Sequence, residues 1–152
     1  MGKWSAETAN WLNEKDKTAA QIAERQRQER ECLNENSHRL WDELREWLKD
    51  ECPDLNRRLG RDMLHPEIGP NKELMIRVID KGQALHLRYD SEAMLVEADF
   101  RGSNAKSLRF LVSVVASRTV LFLSDKDDPY TAQGLGRLLL DVLVGKNETA
   151  SL

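Results

Sequence analysis

Cysteine is scarce in this chain: it has only Cys32 and Cys52, with no CxxC and no paired histidines. Two thiols so placed cannot build the disulfide framework of a small secreted domain. They read as reduced thiols in a reducing compartment. Aromatics are few (4 Trp, 2 Tyr, 3 Phe), and every tryptophan lies between Trp4 and Trp47 at helical spacing rather than on a strand. That excludes a stacking platform for nucleic acid. An excess of one charge is also missing: 23 basic residues face 26 acidic ones, and residues 1–62 carry 12 and 14 of them. Neither half forms a basic arm, so there is no footprint for nucleic acid or an anionic membrane. No apolar run approaches the ~20 residues that span a bilayer. Met1–Ser5 lack the apolar core of a signal peptide. These absences predict a cytoplasmic protein without a membrane or nucleic-acid partner, and leave the sequon at Asn147 without meaning.

Chemical motifs are missing too. No GxSxG, HExxH, GxxxxGK[ST] or H-x-E…PCxxC pattern occurs. Asp125, Asp127 and Asp128 suggest a calcium loop, but its sixth and twelfth positions hold Tyr130 and Gly136 instead of Gly and Glu. Gly134-Leu135-Gly136 lacks the third glycine of a dinucleotide fingerprint and reads as small residues that permit close helix packing. His38 and His65 have no ligand-spaced partner. The sequence therefore predicts no metal, no cofactor and no catalytic residue, and does not favour an enzyme.

What is present fits one α+β domain: 152 residues, 40% hydrophobic and 32% charged, are enough for a core without staples. Residues 5–51 contain neither proline nor glycine and are rich in helix formers. Leu12, Ala19, Gln26, Leu33, Leu40 and Trp47 recur every seventh residue, but the partner row from Asp16 to Leu44 is mostly polar, half of a coiled-coil seam. Leu40, Trp41, Leu44, Trp47 and Leu48 form a stripe that should pack on a core. A break near Asn34–Ser37 would give two N-terminal helices, with one long helix as the open alternative, and a stop is expected at Pro53. Residues 1–52 are thus a helical arm and a packing helix, and 53–71 an irregular link. Residues 72–124 then alternate with period two as a five-stranded antiparallel meander, about 73–80, 83–89, 93–101, 108–116 and 119–124. A C-terminal helix over 129–145, capped by Asp128 or Thr131 and stopped by Gly145, packs on one sheet face, and 146–152 are a tail.

The alternation separates an inner face (Ile76, Leu87, Val96, Phe110, Phe122 and their neighbours) from an outer one. The outer face is polar on the first three strands and apolar on the last two, where Leu111, Val115, Leu121 and Leu123 lie together. Burying those four is worth roughly 6–12 kcal/mol as an upper bound, and soluble monomers seldom expose such a patch. Either the first helix, with Trp4, Trp11 and Leu12, covers it, or a second copy does; the expectation is a homodimer. On the polar side, tight turns at Lys81-Gly82 and Ser91-Glu92 would align Arg77–His86–Glu97–Arg109 across four strands, with Arg88 and Asp99 diagonal. That row is either an anion-binding site or a solvated face stitched by charge pairs. The functional expectation is a non-catalytic interaction module, an adaptor or chaperone-like protein acting as a homo-oligomer or on another protein. The alternative is a small-molecule binder or enzyme, with a pocket between helices and sheet or on the polar row of Arg77, His86, Arg88, Glu97 and Arg109.

Overall fold

The computed structural model describes residues 2–102, 105–115 and 119–146. The expected loop at Ser103-Asn104, the end of the fourth expected strand at Ala116, and the tail and sequon from Asn147 onward lie outside them.

The Ala-, Glu-, Gln- and Arg-rich N-terminal region forms one helix, α1, from Gly2 to Leu59, 58 residues long. Of the two alternatives the single helix is found, and the stop expected at Pro53 does not occur. At Asn34–Ser37 the Asn36 side chain turns back onto the helix, its Nδ2 donating to the Cys32 carbonyl at 2.9 Å, a back-bond within the turn in place of a cap. At Pro53 the helix loses one backbone bond, yet Leu48 and Cys52 are fully buried before it. After it, Asn56 accepts from the amides of Met63 and Leu64 and donates to the Leu64 carbonyl. Packing and these bonds on both sides outweigh the local preference. Gly60, at φ 69°, ends the helix, with Gly60 N–H bonded to the Arg57 carbonyl and Arg61 N–H to that of Asn56, a Schellman stop.

The sheet has seven strands, not five, in sequence order throughout: β1 (Leu64–Ile68), β2 (Leu74–Val78), β3 (Gln83–Asp90), β4 (Leu95–Arg101), β5 (Lys106–Val115), β6 (Thr119–Leu123) and β7 (Pro129–Tyr130). It curls into a half-barrel. The two extra strands come from stretches where Pro66 and Pro129 argue against sheet. Both prolines sit in the outermost strands, the position at which a missing N–H is tolerated. The link expected at 53–71 is therefore helix end, β1 and a 3-10 turn at Pro70–Lys72, in which Asn71 and Lys72 both take positive φ.

The C-terminal helix α2 runs from Ala132 to Val144, later than the expected 129 start. Pro129 belongs to β7, and Thr131 is the cap, its hydroxyl accepting from Gly134 N–H at 3.0 Å. Gly145 stops it at φ 82°. Both helices fill the inner face. Leu44 and Leu48 of α1 and Leu135 and Leu139 of α2 join Ile76, Leu87, Val96 and Phe122 in one core. The inner face is the one the alternation predicts, because a half-barrel still keeps the two-residue period. Burial also pushes the Cys52 thiol up to about 12, since the core disfavours the thiolate.

Gly136 is buried where the helices cross, and a Cβ there would overlap the indole of Trp47. The small residue serves helix-on-helix approach. Gly136→Ala is expected to lower stability by about 1–2 kcal/mol despite the better helix propensity of alanine. Urea denaturation checks this, and an unchanged midpoint would show that Trp47 yields freely.

Candidate functional site

The outer sheet face carries the residues singled out above, in a register that differs by two from the expected one. The β2–β3 and β3–β4 connections are longer than two-residue turns: Val78 pairs with Gln83, and Asp90 with Leu95. Parity is kept, so the side chains stay on the predicted face, but their partners change. His86 stands between Met75 and Asp99, Arg88 pairs with Glu97, and Glu97 with Arg109; Arg77 pairs with Ala84. The continuous row Arg77–His86–Glu97–Arg109 does not form.

A smaller cluster forms instead. Arg88 Nη2 lies 3.0 Å from Glu97 Oε2 and 2.7 Å from Asp99 Oδ2, and Ser107 Oγ donates to Asp99 Oδ1 at 2.7 Å. The Ser107 hydroxyl, followed by the Arg88 and His86 charges, holds the Asp99 carboxyl below its ordinary pKa against the opposing effect of burial. His86 Nε2 is 2.8 Å from Glu73 Oε2, so this nitrogen carries the proton that the carboxylate accepts. Arg77 turns the other way, toward Glu67 on β1 at 3.5 Å, which also meets His65 at 3.2 Å. Arg109 is exposed, and among the described residues no ion pair joins it to Glu97.

Beside this cluster is an open cleft of about 760 Å³, walled by His38 and Trp41 of α1, the Asn71–Glu73 turn, and Arg88–Glu92 with Glu97. Trp41 stacks on Tyr89 at 5.6 Å, His38 meets the same ring edge-on at 5.8 Å, and the Arg45 guanidinium covers Trp41. The Asp90 carboxylate accepts from the amides of Glu92 and Ala93 and shapes the mouth. Among the described residues, His86 Nδ1, Arg88 Nε and the Tyr89 hydroxyl are buried without hydrogen-bond partners. Four carboxylates, Glu73, Asp90, Glu92 and Glu97, outnumber Lys72 and Arg88 around the cleft, so its field does not favour an anion. Sequence reading allowed a pocket between helices and sheet but named none of its walls on α1, because His38 and Trp41 meet Tyr89 only through folding. Among the described residues no group of histidine, cysteine and carboxylate side chains could hold a metal.

The apolar half of the outer face is also present. Leu95, Leu111 and Leu123 lie side by side on β4, β5 and β6. Leu111 is 46% exposed, while Leu121, Leu123 and Val115 are half-buried. The first part of α1 does not cover them. From Gly2 to Glu31 every residue except Thr8 is exposed, with Trp4 75%, Trp11 60%, Leu12 47% and Ile22 53% accessible. Ile22 and Leu95 were not singled out from sequence. Ile22 shares the stripe of Trp4 and Trp11 and was legible by periodicity, whereas Leu95 joins the strip only through strand register. No described helix is long and apolar enough to cross a membrane. Comparison with family models, characterised proteins and solved structures finds nothing that matches the chain.

Arg88→Ala should lower stability by about 1 kcal/mol near neutral pH, the scale of partly exposed pairs. A carboxyl with a depressed folded pKa stabilises above its unfolded pKa, and the gain is lost as pH falls through the folded value. The deficit should therefore close in acid. Urea titrations at neutral pH and below the carboxylate range check this, and equal deficits would assign the effect to packing.

Proposed function

We propose that this protein is a non-catalytic interaction module that works as a homo-oligomer through its helical arm and the outer apolar strip. The observation that carries the reading is the arm itself, an exposed helix with two tryptophans, Leu12 and Ile22 in water. Protein helices draw most of their stability from packing an amphipathic face. The arm's own ion pairs, Glu24–Arg27, Arg25–Glu29 and Arg27–Glu31, are fully solvated and add little. Burying its four large apolar side chains is worth roughly 6–12 kcal/mol as an upper bound. The strip around Leu111 adds to the same drive.

Two features narrow how contact is made. Pro66 and Pro129 lie in the two edge strands, which disfavours growth by strand addition. Arg88 is held by two carboxylates of its own chain, which weakens the reading of the polar cluster as an anion site. Contact through the arm and the apolar strip is what remains.

Size-exclusion with light scattering should give at least twice the 17.5 kDa chain mass. Replacing Trp4 and Trp11 together by alanine should reduce it to one chain while leaving the melting of the body unchanged. Wild-type protein that stays monomeric at high concentration would sink the reading.

A further inference from the structure

The geometry points to a latched flap: the tip of the β1–β2 hairpin, Gly69–Glu73, is a movable wall of the cleft, and the Glu73–His86 hydrogen bond holds it closed. The device stands apart from the homo-oligomeric reading, since it needs neither the arm nor the apolar strip. Three observations carry it.

The first is strain. Asn71 and Lys72 have φ of 57° and 60°, and Glu73 N–H bonds back to the Pro70 carbonyl at 3.2 Å. Two left-handed residues in succession make the backbone of a type I′ turn, which usually places glycine second. Here lysine stands in that place, where its Cβ crowds the backbone. Asparagine tolerates the left-handed region better, because its short polar side chain bonds locally. The closed tip therefore holds strain that a change of backbone angles releases.

The second is thin packing. Pro70, Asn71 and Lys72 are exposed, and Ile68 just before them is 53% accessible. β1 is an edge strand, bonded only to β2. Segments with few buried apolar contacts open at little cost while the core stays shut. The neighbouring β3 and β4 are unlike the tip, since Leu85, Leu87, Val96 and Ala98 are fully buried.

The third is the fastening. Among the described residues, one side-chain hydrogen bond ties the tip to the body, from His86 Nε2 to Glu73 Oε2 at 2.8 Å. A bond to a carboxylate is stronger than a neutral one, and both side chains are largely shielded from water. His86 does not move with the tip, because it is fixed within β3 between Met75 and Asp99. Its other ring nitrogen is buried without a hydrogen-bond partner, so the closed form leaves a polar group unmet, and a lifted tip admits water to the ring. Strain and latch thus oppose each other over three consecutive residues, as in a two-state element. Asn71, Lys72 and Glu73 all wall the cleft, so lifting the tip widens it.

Amide hydrogen exchange of the full chain, followed by NMR, tests the device. The reporters are Gly69 N–H, bonded to the residue 73 carbonyl at 2.8 Å, and the residue 73 N–H. Amides of β3 and β4 are the internal reference. Glu73→Ala is expected to lower the protection factors of both reporters about tenfold and to leave the reference unchanged. Lys72→Gly relieves the strain and is expected to raise them about two- to threefold. Shifts in opposite directions separate a strained, latched tip from a loop that is merely damaged. Unchanged reporters in Glu73→Ala, or an equal loss across β3 and β4, overturn the inference. Lower protection in Lys72→Gly overturns it as well.

Discussion

A half-barrel exposes its trough unless something lies in it, and in this protein the filling is a helix that is far longer than the trough. Leu40, Leu44 and Leu48 of α1 bury themselves against the inner face, with Leu135 and Leu139 of α2 alongside. Gly136 lets α2 approach the indole of Trp47 closely enough to close the layer. This helix-in-trough contact sets the rest. It fixes α1 rigidly at its C-terminal half and directs both helices inward, so the whole outer face is left to itself. It also projects the N-terminal half of α1 away from the body as a continuous extension of the buried part.

The outer face divides by strand. On β3 and β4 it is stabilised by Arg88 with Glu97 and Asp99, and by Ser107 on Asp99. On β5 and β6 the same face is apolar, and Leu111 stands in solvent between Leu95 and Leu123. Ion pairs satisfy one half without a partner, whereas the other half and the arm gain from one. The molecule therefore presents two kinds of unfinished apolar surface, the arm and the strip around Leu111.

Parity and propensity decided what could be read in advance. The inner face was legible because side chains in strands alternate regardless of how the sheet curls. The Thr131 cap, the Gly145 stop and the stripe from Leu40 to Leu48 were legible because each depends on contacts within a few residues. The outer apolar patch followed from the same alternation.

What escaped the sequence depended on distant contacts. Pro53 breaks an isolated helix, but Leu48, Cys52 and Asn56 are held by the sheet on either side of it. The β1 and β7 strands, marked against by prolines, exist because an edge needs only one bonded side. Register across β2–β4 was lost because a four-residue connection and a two-residue turn preserve the same faces while shifting every partner, so Arg77 left the cluster, Glu73 entered it, and Asp99 moved from a diagonal place to one directly opposite His86. Local periodicity by itself determined which side of each element is apolar. Which of those sides finds a partner within the chain was decided by the tertiary structure alone, because burial depends on where the other elements end.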